Sequence, residues 1–132
     1  MSNTITDVFF SKPKDLGLKI NRMTYLGASI LANIATVAIT AAILPIADPI
    51  MLLACALLFL VPGYWIVKTV TARIRSINPS FKYGILIALA AMAVSFAYGF
   101  GYNGQAMAIA NVVCVYGLHL VLLFTPQAED ID

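Results

Sequence analysis

Four stretches of the chain, 24–44, 49–67, 83–102 and 105–124, contain no Asp, Glu, Lys or Arg at all. A helix rises 1.5 Å per residue, so about twenty residues span roughly 30 Å, the thickness of a bilayer's hydrocarbon core. This feature predicts an all-α, polytopic membrane protein: a four-transmembrane-helix bundle made of two antiparallel hairpins. With 61% of its 132 residues hydrophobic and 11% charged, the chain is far more apolar than a soluble domain, where charged residues approach a quarter of the total. No water-soluble fold of this size hides so much apolar surface.

The connections fit that reading. Pro45, Asp48 and Pro49 lie between the first two runs, and proline discourages helix in the residue before it. Asn103 and Gly104 separate the last two, with the residue types a short reversal needs. All eight basic residues fall on one side of the map: Lys12, Lys14, Lys19 and Arg22 before the first run, and Lys68, Arg73, Arg75 and Lys82 between the second and third. The positive-inside rule then assigns the N-terminal segment 1–23, the basic loop 68–82 and the acidic tail 125–132 to the cytoplasm, around a transmembrane domain covering 24–124. Tyr25, Tyr64, Trp65, Phe81, Tyr83 and Phe124 mark the inner ends of the spans, as an interfacial aromatic belt does. The expected location is a bacterial-type cytoplasmic (inner) membrane, multi-pass, with both termini inside. The first run is too long for a signal-peptide core and is read as a retained helix.

Polar residues within the spans fall into patterns. Ser29, Asn33, Thr36 and Thr40 recur at spacings of four, three and four, which puts them on one stripe of the first helix, facing protein. Asn111 and His119 add polar groups from the fourth span. Interhelical hydrogen bonding is the expected role of these groups. In the third span Gly84, Ala88, Ala91 and Ser95 form a small-residue stripe, the pattern that lets backbones approach closely. The first and third helices are therefore predicted to pack together, with Ile87 turned away toward lipid. Lys68, Arg73, Arg75 and Lys82 are expected to hold the central loop at the anionic inner leaflet.

Several function classes are demoted by missing residues. Cys55 and Cys114 lie in apolar runs, His119 is the only histidine, and no CxxC occurs, so a metal centre or haem attachment lacks its ligands. No cofactor is implied. The net charge of +2 gives no nucleic-acid footprint. Coupled pumps and exporters usually need an ionisable group within a span, and the four runs have no charged one. No nucleophile–base pair or glycine-rich phosphate loop is present, so an enzyme is not expected. The reading that remains is a non-catalytic structural or interaction component of a membrane assembly, with the lipid bilayer and other membrane proteins, or a homo-oligomer, as partners. The alternative is an oligomeric channel or facilitator for an ion or small solute, lined by the stripe of the first helix.

The segment Lys19-Ile20-Asn21-Arg22-Met23-Thr24-Tyr25, the stretch from Leu57 to Arg75 with Pro62 and a basic exit, and the ending from Leu122 to Pro126 together resemble the YhaH-like family of small bacterial inner-membrane proteins of unknown function. The resemblance implies a topology and no activity. After the second helix that family normally carries Arg-Leu-His-Asp and then Gly-x-Ser-Gly-Trp-Trp, where this chain reads Ala72-Arg73-Ile74-Arg75-Ser76 and then Phe81-Lys82-Tyr83.

Overall fold

A computed structural model of the chain describes residues 3–12, 19–78, 80–99 and 104–126. Among them all regular structure is helical and no strand occurs. Lys14, the end of the third apolar run at 100–102, Asn103 of the second turn and most of the acidic tail lie outside the described residues.

The short α1 (Ile5–Phe10) is started by a reciprocal cap. The Asp7 N–H donates to Thr4 Oγ1 at 3.2 Å, and the Thr4 N–H donates to Asp7 Oδ2 at 2.9 Å. Helix α2 (Arg22–Ile43) begins where the Thr24 N–H donates to the Asn21 side chain at 2.8 Å. Helix α3 (Pro49–Ile77) begins with Asp48 accepting from the Ile50 N–H at 3.1 Å and with Pro49 in the first turn, where its missing N–H has no intrahelical use. Asn78 ends it, and the Phe81 N–H returns to the Asn78 carbonyl at 3.1 Å in a tight turn. Helices α4 (Gly84–Gly99) and α5 (Gln105–Phe124) follow.

Three helices, α2, α3 and α5, are long and apolar enough to cross a membrane, while α4 contributes a shorter apolar segment, Gly84–Ser95. Two of the long helices are irregular within the span. Pro62 cannot donate to Leu58 and its ring crowds that carbonyl, so α3 tightens to a 3₁₀ turn over Leu57–Phe59, where the Leu60 N–H reaches Leu57. In α5 a π segment covers Val112–Tyr116, closed by the Gly117 N–H on the Val112 carbonyl.

The second apolar run does not stop at a loop. The stretch 68–77, read from sequence as part of a loop, continues α3 through Ile77, giving 29 residues and a length of about 43 Å. About nine residues therefore extend beyond a hydrocarbon core of ~30 Å. Burial is the reason: Val70, Ala72 and Ile74 join Val8, Phe9, Ile20, Tyr25, Ala28, Ala88 and Leu122 in one core at the basic end of the bundle.

Helix α3 is central, packed against α1, α2, α4 and the last part of α5, while α5 also touches α2 and α4. The predicted close pairing of the first and third spans is thus corrected: among the described residues the small stripe of α4 meets α3. A Cβ added at Gly84 would stand 3.6 Å from Ile74 Cγ2 and 3.7 Å from Thr71 Cγ2. Ile87, expected to face lipid, packs against the core, whereas Leu86 is 61% exposed. Away from the basic end the helices keep apolar side chains outward. Only 11%, 11% and 6% of the most apolar windows of α2, α3 and α5 are buried inside the protein.

Candidate functional site

The basic end is fixed by cations that cap helix C-termini. The last carbonyls of a helix have no intrahelical donor and carry partial negative charge, so a cation is favourable there. Arg73 is fully buried, and its guanidinium donates from Nε to the Leu122 carbonyl at 2.7 Å and from Nη2 to the Thr125 carbonyl at 3.0 Å, closing the end of α5. Nη1 donates to the Ile20 carbonyl at 3.2 Å, just before α2. One planar side chain thereby joins three segments, a use that suits the fixed fork of arginine.

Lys68 and Tyr64 tie down the residues that follow α1, with Lys68 Nζ donating to the Lys12 carbonyl at 3.0 Å and the Tyr64 hydroxyl to the Ser11 carbonyl at 2.6 Å. Phe9 stacks on Trp65 with ring centroids 4.5 Å apart and an interplanar angle of 7°. Ser76 Oγ donates to Ala72 at 2.8 Å and accepts from the buried Ile20 N–H at 2.8 Å. The expectation that all four basic residues face the inner leaflet is corrected for two of them. Arg73 and Lys68 are 0% and 4% exposed, turned inward to carbonyls, whereas Arg75 is half-buried and Lys82 exposed.

This knot positions a polar pair one turn further into the bundle. Leu122, held by Arg73, is one helical turn from His119, and Ile20, held by Arg73 and Ser76, leads into α2 just before Tyr25. The Tyr25 hydroxyl and His119 Nδ1 share a hydrogen bond, with ring centroids 5.9 Å apart. Above this pair lies a cavity of about 100 Å³ among α2, α3, α4 and α5, whose polar lining is Asn33 and Thr36 of α2, Ser95 of α4 and His119 of α5. Val70, Ala88, Ala91 and Leu118 complete its apolar wall together with Gly63, Ile66, Met92 and Val115. At ~30 Å³ per molecule this is room for a few waters or one small polar group.

The sequence-predicted site residues divide accordingly. Asn33, Thr36 and His119 meet in the cavity with Ser95, Ala88 and Ala91 of the small stripe. Ser29 and Thr40 do not line it. Within α2 the stripe largely satisfies itself: Asn33 Nδ2 donates to the Ser29 carbonyl at 2.8 Å, Thr36 Oγ1 to Ala32 at 3.0 Å, and Thr40 Oγ1 to Thr36 at 2.9 Å. Asn111 stands at the start of the π segment, away from the cavity lining, and its buried Oδ1 has no hydrogen-bond partner among the described residues.

Sequence reading missed Tyr25 as the partner of His119, taking it for a belt residue, and missed Gly63 and Met92. For the buried helix extension a signal was present: Val67, Val70, Ile74 and Ile77 recur at three, four and three residues, a helical apolar face running straight through the basic stretch. No group of three or more His, Cys, Asp or Glu side chains that could hold a metal occurs among the described residues. Comparison of the chain with models of known families, with curated proteins and with solved structures finds no match.

Proposed function

We propose that this chain is a non-catalytic integral membrane component that associates through its spans, first of all with a second copy of itself. In this reading four helices cross the cytoplasmic membrane of a bacterial-type cell, with both termini and the basic end inside. The observation that carries the proposal is Asn33. It is exposed at mid-helix on α2, where it lines a shallow depression of about 320 Å³ with Ile30, Ile34 and Val37. An amide offers two donors and an acceptor oxygen, and among the described residues only one donor is used, by the Ser29 carbonyl. On the outer side, in the depression with Ile30, Ile34 and Val37, hydrocarbon cannot satisfy the rest, whereas an amide from a second copy is self-complementary across a two-fold axis.

A photo-crosslinking side chain at Val37, which is 67% exposed, tests this in native membranes. The expected product is a discrete adduct at twice the monomer mass. Asn33→Leu removes both bonds of the symmetric pair and should weaken association roughly tenfold or more, at about 0.6 kcal/mol or more for each bond. Monomer alone at native expression levels would remove the proposal. An oligomeric channel or facilitator is the alternative; the polar cavity favours it, and the self-satisfied hydroxyls of Thr36 and Thr40 weigh against it.

A further inference from the structure

Between α3 and α4 an apolar groove of about 530 Å³ opens sideways, and it is distinct from the depression on α2. Ala56, Phe59, Leu60, Gly63, Tyr64 and Val67 lie along it at helical spacing on α3, and Leu89 and Met92 face them from α4. From residue 56 to residue 67 the groove runs about 16 Å along the helix, half the hydrocarbon core.

Two of its residues, Gly63 and Met92, also line the central polar cavity. The partition between groove and cavity therefore includes a residue without a side chain and a flexible thioether. A Cβ at Gly63 would come within 3.0 Å of Met92 Cε, so the methionine methyl lies directly against the glycine backbone. Methionine is unbranched, has three rotatable bonds and re-packs readily.

We infer that groove and cavity form one lateral binding site for a bilayer-resident amphiphile with a long apolar chain and a small, uncharged, hydrogen-bonding head. The chain lies in the groove, and the head passes Met92 into the cavity, where Asn33, Thr36, Ser95 and His119 offer polar atoms. The volumes set the class: about 530 Å³ of apolar space suits a chain, and about 100 Å³ excludes a phospholipid headgroup. A charged head is disfavoured because, among the described residues, no Asp, Glu, Lys or Arg lines the cavity. This inference does not depend on self-association through Asn33.

The test uses the full chain reconstituted in vesicles, with two photoactivatable probes: a long-chain primary alcohol carrying a diazirine, and the matching hydrocarbon without the hydroxyl. The alcohol should label Met92 and cavity residues, and unlabelled alcohol should compete. Leu89→Trp fills the groove from a side chain that is 48% exposed, so the fold should persist. It should abolish the competable labelling, because the indole occupies the space the chain needs. Gly63→Ala, which presses on Met92, should reduce labelling of the cavity more than of the groove. Equal, non-competable labelling by both probes, or labelling unchanged by Leu89→Trp in a folded protein, would overturn the inference.

Discussion

At the basic end of the bundle, side chains bond to backbone groups about fifty residues away in sequence; within α2, they bond to the carbonyl four residues back. Arg73 reaches Ile20, Leu122 and Thr125, Lys68 reaches Lys12, Tyr64 reaches Ser11, and Ser76 reaches Ile20. Asn33, Thr36 and Thr40 each reach only their own helix. With the bundle placed in a bilayer as proposed, the difference follows from the solvent. Beyond the hydrocarbon, water rewards burial of apolar surface, and Val8, Phe9, Ile20, Val70 and Ile74 collapse into a core around which loose backbone groups must be satisfied. In hydrocarbon, lipid tails are as apolar as leucine, so burying Leu53 or Val113 against another helix gains little, and both stay outward at 70% and 64% exposure.

If the basic end holds the bundle together, its central cation should matter most. Arg73→Met keeps some of the side chain's length and removes the three charge-assisted bonds made to described residues, each of the kind worth about 1.5–3 kcal/mol, while leaving the end of α5 uncapped. Thermal unfolding in mild detergent should show the largest loss of any single substitution here, several kcal/mol. Arg73→Lys should recover only part of it, because a point charge does not fork to three carbonyls. Near-wild-type stability of Arg73→Met would mean that the spans hold the bundle without this end.

How far the sequence discloses each region follows the same division. The spans were legible because the bilayer imposes one rule, some twenty residues without charge, and α2, α3 and α5 obey it. The basic end was not, because a charge near a membrane reads first as a headgroup contact, and the groups Arg73 serves lie 49 to 53 positions away. The polar stripe of α2 was legible as a stripe but not as a set of partners: helix period fixes the face, whereas a local carbonyl competes with any distant acceptor. In α4 the small stripe leaves its neighbour open, and Gly84 lies against Ile74 and Thr71 of α3, since small size reports close approach and not which helix approaches.

The packing of α4 sharpens the boundary between the two regions. Ala88 is 1% exposed and belongs to the core, while Leu86, two residues earlier on the same helix, is 61% exposed. Ala88→Phe should destabilise by about 1–3 kcal/mol in the same unfolding measurement, the usual consequence of adding volume to a packed interior. Leu86→Phe should change little. Equal losses at both positions would mean that the core continues around α4, and no loss at Ala88 would mean that this end is loosely packed.

A matched pair of hydroxyl deletions isolates the comparison with the least change in chemistry. Ser76 and Thr40 each donate to the carbonyl four residues back, at 2.8 Å and 2.9 Å. Those carbonyls already serve the helix ladder, so losing the extra donor leaves nothing unsatisfied in either place. Ser76 Oγ also accepts the Ile20 N–H at 2.8 Å, a donor on a residue with no exposed surface and outside any helix. Ser76→Ala therefore strands a buried N–H and should lower stability by roughly 1–2 kcal/mol, within the range for an unsatisfied buried donor. Thr40→Val keeps the branched shape on an exposed face and should stay within about 0.5 kcal/mol of the parent. Hydrogen exchange at the Ile20 amide supplies the independent readout: Ser76→Ala should accelerate it and Thr40→Val should not. Comparable losses in the two variants would locate the effect of both hydroxyls in their own helices and would remove the distinction between the two regions.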